Sequence, residues 1–199
     1  MADTPGAVLP RTHPLADRTE LTALTGGLVT PRPNLSSVLV RALPGGPAAA
    51  AAAQVLGAAL PVRANTWVAT ERGKVVWLGP DEWLVLDDTT EPWVLEDRLR
   101  SVLAPLGGAA TDVSAQRTCL RLHGPHAEEV LRAGCSLDVH PRVFGPGSAA
   151  QVNLARAGVV LLALAATGDD FEVLVRSSFA GYLAAWLIDT ALEFGPHPS

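Results

Sequence analysis

The chain has 199 residues, 48% of them hydrophobic and only 18% charged, enough apolar side chains for a substantial core in one domain or two closely packed ones. Its formal net charge of −5 and its single lysine, Lys74, exclude the clustered basic surface that a nucleic-acid binder needs. No apolar signal core follows a basic region in residues 1–14, and the apolar run Val159 to Ala166 is far too short to span a membrane. A cytoplasmic chain with no membrane partner is therefore expected.

Residues 1–35 carry five prolines (Pro5, Pro10, Pro14, Pro31 and Pro33), which argues against a continuous helix or strand there. This segment reads as a tail that wraps or docks, with a short helix possible around Asp17 to Leu24. From residue 36 the pattern is regular. Val38 to Leu43 predicts a strand, Pro44-Gly45-Gly46-Pro47 a corner, and Ala48 to Leu56 an alanine-rich helix. Thr66 to Ala69 and Lys74 to Leu78 form a hairpin about Glu71-Arg72-Gly73. The turn Gly79-Pro80-Asp81-Glu82 leads to a strand over Trp83 to Leu86. A helix over Pro92 to Leu103 follows, with Thr90 as its expected cap and Pro105 to Gly108 as its stop.

The same order then recurs. Thr118 to Leu122 predicts a strand, Gly124-Pro125 a corner and His126 to Ala133 a helix. Pro125 suits a first helical turn, Glu128 and Glu129 favour a helix N-terminus, and Gly134 can end the helix in the left-handed region. Gln151 to Arg156 and Val159 to Leu164 form a hairpin about Ala157-Gly158. Thr167 to Asp170 is a turn, Phe171 to Arg176 a strand, and Phe179 to Phe194 a helix stopped by Gly195-Pro196. Gly46-Pro47 matches Gly124-Pro125, Arg72 and Val75-Val76 match Arg156 and Val159-Val160, and Trp83 matches Phe171. The prediction is an α+β fold with an internal duplication: a tail over 1–35, a first half over 36–112 and a second over 113–199, each a sheet with helices on one face.

Motifs for autonomous chemistry are missing. The chain has no G-x-S-x-G or S-x-x-K serine motif, no phosphate loop, and no G-x-G-x-x-G after a strand. His123-x-x-His126, with Cys119 and Cys135 nearby, lacks the paired spacing of tetrahedral zinc, and no metal site is expected. Two cysteines make no disulfide framework and read as thiols. The acidic pairs Asp81-Glu82, Asp87-Asp88, Glu96-Asp97, Glu128-Glu129 and Asp169-Asp170 read as solvated turns and helix faces. Trp67, Trp77, Trp83 and Trp93 all fall in the first half, where they can serve either as core or as partner surface.

Two segments carry a family resemblance. Leu122-His123-Gly124-Pro125-His126-Ala127-Glu128-Glu129-Val130-Leu131 resembles the second-half corner of the folate-binding aminomethyltransferase superfamily, which includes the glycine-cleavage T-protein. Thr167-Gly168-Asp169-Asp170-Phe171-Glu172-Val173 resembles its T-G-E-x-G-[hydrophobic]-E-[hydrophobic] motif, one residue shorter. A closer resemblance is to the gamma subunits of heterotetrameric sarcosine oxidases. It is carried by Trp77 to Leu84, Gly134 to Phe144, Phe171 to Ala180 and Trp186 to Gly195, and it spans roughly Val38 to Gly195.

The resemblance implies an assembly with alpha, beta and delta subunits that oxidises sarcosine to glycine with hydrogen peroxide. It implies FAD, FMN and NAD in the complex, none of them in this chain, and a one-carbon unit captured on tetrahydrofolate. The transferases' catalytic aspartate matches the stretch Lys74 to Leu78, which has no carboxylate. Their folate-contacting glutamate matches Asp169, and apolar residues around Leu164 to Ala166 replace a preceding Arg and Tyr. The resemblance thus implies no catalytic and no metal residue here, with Asp169 and Asp170 as remnants of a folate site. A buried pterin left without partners loses about 1–3 kcal/mol per group. The expected role is a structural subunit, with Gly79 to Trp83 and the tail as candidate partner contacts. The alternative is a free-standing folate-dependent transfer or folate-binding protein.

Overall fold

The computed structural model describes residues 12–32 and 35–194. The expectations for Pro5, Pro10, Pro33 and Gly195-Pro196 lie outside them. A short helix α1 (Leu21–Leu24) and strand β1 (Val29–Arg32) come first. The first half follows as β2 (Ser36–Arg41), α2 (Pro47–Leu56), β3 (Trp67–Ala69), β4 (Gly73–Gly79), β5 (Glu82–Asp87) and α3 (Pro92–Leu103). Then come β6 (Ala109–Asp112), β7 (Arg117–His123), α4 (Ala127–Gly134), β8 (Ala149–Leu154), β9 (Ala157–Ala163), β10 (Asp170–Arg176) and α5 (Ala180–Ala191). The α+β class and the repeated element order are as the sequence predicts.

Two five-stranded antiparallel sheets form, in the orders β3-β4-β5-β2-β6 and β1-β7-β10-β9-β8. Strand alternation assigns each face. Val38, Val40, Val75, Trp83 and Val85 point toward α2 and α3, while Leu120, Leu122, Phe171, Val173 and Val175 point toward α4 and α5. The opposite faces pack together through Val76, Leu84, Leu86, Cys119, Ala149, Val160, Leu162 and Leu174. The result is four layers, helices–sheet–sheet–helices. The adjoining β3 and β8 edges meet at the Thr66–Ser148 bridge, and Trp67 Nε1–H donates to Ala163 O at 3.0 Å.

One edge strand crosses between the segments of the chain. β6, the last strand of the first half, closes that half's sheet on β2. β1, which leads into the first half, pairs with β7 of the second, with Val29 opposite Leu122. This corrects the reading of the tail as free of strands. Pro31 is tolerated because β1 is the outermost strand and needs its N–H groups on one side only. The tail docks on the second half: Leu15, Leu21 and Leu28 are buried in that half's core.

Other local expectations also shift. Glu91, not Thr90, occupies the N-cap position of α3, without a side-chain capping bond, and Pro92 takes the first helical position. The Thr90 N–H instead donates to Asp87 Oδ1. His126 precedes α4, so Pro125 sits in the turn before the helix, after Gly124 at φ 133°. The β8–β9 turn falls at Ala155-Arg156, with Ala155 at φ 53°. Gly134 is the last residue of α4 and is not left-handed. Its absent side chain serves close approach, because a Cβ there would lie 2.5 Å from the Trp186 ring.

Candidate functional site

Between the sheets, the β7/β10 ladder presents its odd and even positions respectively to one face: Arg117 opposite Arg176, Cys119 opposite Leu174, Arg121 opposite Glu172, and His123 opposite Asp170. The apolar Cys119–Leu174 rung joins the inter-sheet core. The charged rungs toward the His123 end form a network reaching both halves.

Glu172 is 1% exposed in mid-sheet, where an unpaired carboxylate would be costly. Arg32 of β1 donates through Nη1 to its Oε1, and Lys74 Nζ of β4 stands 3.2 Å from Oε1 and 3.1 Å from Oε2. Arg32 Nη2 donates to Asp88. Burial disfavours the Arg32 cation, but Glu172 and Asp88 outweigh this and raise its pKa. Glu172 Oε2 receives no well-directed hydrogen bond among the described residues. The sole lysine of the chain is thus spent on a carboxylate of the other half.

The two anticipated remnant residues part company in space. Asp170 is buried and accepts a fork from Arg121, Nε to Oδ1 at 2.8 Å and Nη2 to Oδ2 at 2.6 Å. That bidentate geometry fixes both planes, and it raises the Arg121 pKa. Asp169 is half-buried one residue earlier and accepts the Thr167 hydroxyl. Sequence reading singled out Asp169 and Asp170 but passed over Glu172, Lys74, Arg32 and Arg121. The available signal was a glutamate within an otherwise apolar strand, Phe171-Glu172-Val173-Leu174-Val175.

The histidines diverge. His126 stacks on Phe194 with ring centroids 5.2 Å apart, and His123 Nδ1 lies 3.9 Å from Asp170 Oδ2. Among the described residues no group of three or more His, Cys, Asp or Glu side chains could hold a metal ion. Both cysteines are free, and burial pushes the Cys119 thiol pKa up, away from nucleophilic chemistry.

The tryptophans divide by role. Trp83 is buried, with Nε1–H donating to Pro61 O at 2.8 Å, so only the Pro80-Asp81 tip of the Gly79–Trp83 segment is open. Trp67 lies between the sheets, and Trp93 is 65% exposed at the start of α3. A cleft of about 710 Å³ lies between residues 61–68 and 137–150 and is rimmed by exposed Val62 and Val143. Among the described residues its titratable side chains are Arg63 and Asp138 alone.

Fold and site together define a doubled α+β scaffold whose inter-sheet carboxylates are neutralised from within. The glycine cleavage system aminomethyltransferase T of Bartonella henselae shares this fold: TM-score 0.57 at 14% identity, covering 84% of this chain and 48% of that one. A chain of the heterotetrameric sarcosine oxidase from Corynebacterium sp. U-96, solved with pyrrole 2-carboxylate, matches much further. Its TM-score is 0.82 at 33% identity, over 95% of this chain and 98% of that one.

The model of the sarcosine oxidase, gamma subunit family matches residues 42–193. Sarcosine oxidase subunit gamma of Corynebacterium sp. (strain P-1) is 38% identical over 165 residues, 82% of this chain and 79% of its own. That of Arthrobacter sp. is 39% identical over 161 residues, 80% of this chain and 77% of its own. The chain belongs to the sarcosine oxidase gamma subunit family.

Proposed function

We propose that this chain is the non-catalytic, structural gamma subunit of a cytoplasmic heterotetrameric sarcosine oxidase, assembled with alpha, beta and delta subunits. The complex oxidises sarcosine to glycine with hydrogen peroxide, uses FAD, FMN and NAD held outside this chain, and passes the one-carbon unit to tetrahydrofolate. The full-length likeness to a chain of a heterotetrameric sarcosine oxidase supports the assembly.

The internal neutralisation of the inter-sheet carboxylates is the observation that carries the structural role. A pterin needs free acceptors for its N–H donors. Asp170 is committed to Arg121 and Glu172 to Arg32 and Lys74, which leaves half-buried Asp169, with the Thr167 hydroxyl on one oxygen, as the least engaged of the three. The two buried acids are therefore closed to a pterin, and Asp169 and Asp170 are read as remnants of a folate site. In the same reading 36–112 and 113–199 are the duplicated halves, with β1 of the tail completing the sheet of the second.

Co-expression with the three other subunits is the test. A stable complex containing this chain, together with no heat on titrating the isolated chain with tetrahydrofolate at high micromolar concentration, is the expected result. A monomer indifferent to the other subunits, or saturable folate binding, would overturn the proposal.

A further inference from the structure

Three rungs of the β7/β10 ladder carry charge toward the inter-sheet face, and two of them are answered by acids. The third is not. Arg117 and Arg176 stand directly opposite each other, and like charges so placed destabilise a sheet pair. Among the described residues no carboxylate lies within 4 Å of either guanidinium. Arg117 donates only to the amide oxygen of its neighbour Gln116. Glu82 of β5 acts on Arg117 from beyond that distance, but it also faces Arg41 across the β2/β5 ladder. Burial and the nearby Arg176 charge both lower the Arg117 pKa.

The two arginines line an open cleft of about 350 Å³ with Gln151 and Asn153 of β8. Gln151 is already oriented, its Nε2–H₂ donating to Leu78 O at 2.8 Å, while Asn153 adds a polar amide to the wall. Arg176 is exposed and Arg117 half-buried, so the cleft offers two planar donor forks to an incoming carboxylate. The chain's own net charge of −5 works against capture of a free anion. A neighbouring subunit, by contrast, presents its carboxylate at high effective concentration.

The geometry points to Arg117 and Arg176 as an acceptor site for an Asp or Glu side chain of another subunit, seated where β7 and β10 leave the inter-sheet layer. This inference rests on the chain's role as a subunit and adds a specific contact to it. The cross-strand repulsion persists in the free chain and is relieved on assembly.

The test co-expresses the wild-type chain, Arg117→Gln/Arg176→Gln and Arg176→Glu with the other subunits, and follows retention in the complex at increasing salt. The wild-type chain stays bound with a marked salt dependence. The double variant is released with an apparent Kd raised about tenfold, as expected for losing charge-assisted contacts, and Arg176→Glu by more. The isolated double variant melts at or above the wild-type temperature, because a repulsion has gone.

Equal retention of the double variant at every salt concentration overturns the acceptor site and leaves the subunit role intact. A lower melting temperature of the isolated double variant, matching its weaker retention, overturns it in favour of a structural role. So does stabilisation of the isolated wild-type chain, but not the double variant, by millimolar phosphate with assembly unchanged, which would mark a free-anion site. A wild-type chain that is never retained overturns both the site and the subunit role.

Discussion

The two halves run through the same elements but fill their outer layers differently. In the first half α2 turns alanines inward (Ala48, Ala49 and Ala52), and the opposing sheet brings in the indole of Trp83. In the second half α4, the counterpart of α2, brings Val130 and Leu131, and the matching sheet residue is the smaller Phe171, while α3 and α5 both supply leucines (Leu95, Leu99 and Leu103; Leu183 and Leu187). A small helix face is balanced by a large strand residue, which keeps each layer at close-packed density. The inter-sheet layer shows the opposite behaviour. There the second half supplies the buried acid, Glu172, and the cations come from β1 and β4. The halves are independent in their outer cores and interdependent at their shared face.

The sharpest way to break this comparison is Glu172→Ala, which leaves Arg32 and Lys74 without their shared carboxylate. Loss of one partner from a buried charge network costs about 3–5 kcal/mol, read from urea unfolding of the full chain. A loss below about 1 kcal/mol would show that the shared face does not depend on this network.

The outer layers are tested by Trp83→Phe and Phe171→Leu. The first removes both volume and the donor to Pro61 O, costing about 1–3 kcal/mol; the second removes volume alone and costs less. Equal losses would remove the donor as a distinction between the halves. Gly134→Ala forces a methyl toward Trp186 and costs about 1–3 kcal/mol. Gly181→Ala, in open space on α5, stabilises by up to about 0.5–1 kcal/mol. Thermal unfolding of the two variants should move in opposite directions.

The smallest effects are pH-dependent and distinguish the end of β5, inside the first half, from the tail. Burial works against the Asp87 charge, but the Thr89 and Thr90 N–H groups and hydroxyls outweigh it and hold its pKa below the usual carboxylate range. Its contribution is therefore present above the unfolded value of about 4 and is lost as pH falls through the lower folded value. Asp87→Asn should flatten the stability curve in that window alone.

In the tail, Leu15 N–H donates to His13 Nδ1, so the neutral ring donates from Nε2 to Thr118 Oγ1 at 2.7 Å. Burial lowers the His13 pKa. The docked tail gains stability above the unfolded value of about 6.5 and loses it as pH falls toward the folded value. Hydrogen exchange at Leu15 should rise over that interval in wild type, and a His13→Gln chain should show no such rise.

Local signals determined most of the elements. Pro47 and Pro92 occupy the first turns of their helices, and Gly57 and Gly107 end helical segments in the left-handed region, each a choice made within a few residues. The apolar run of Trp83 to Leu86 and the corner at Gly124 were equally readable, and with them the repeated order and the family motifs. Asp169 and Asp170 stood out as an acidic turn, but their separate fates did not, because Arg121 reaches Asp170 from another strand. The pairing of β1 with β7 and β6 with β2 was likewise unreadable, since a four-residue strand carries no mark of which edge it will cover.

What the sequence by itself determined was the order of helices and strands, its repetition along the chain and the lack of a motif for autonomous chemistry. Only the tertiary structure decided what the buried acid meets. Lys74 and Arg32 lie 98 and 140 residues from Glu172 along the chain. Helix caps and strand alternation are local free energies, whereas a buried charge is satisfied by whichever side chain the folded sheets bring within hydrogen-bond reach.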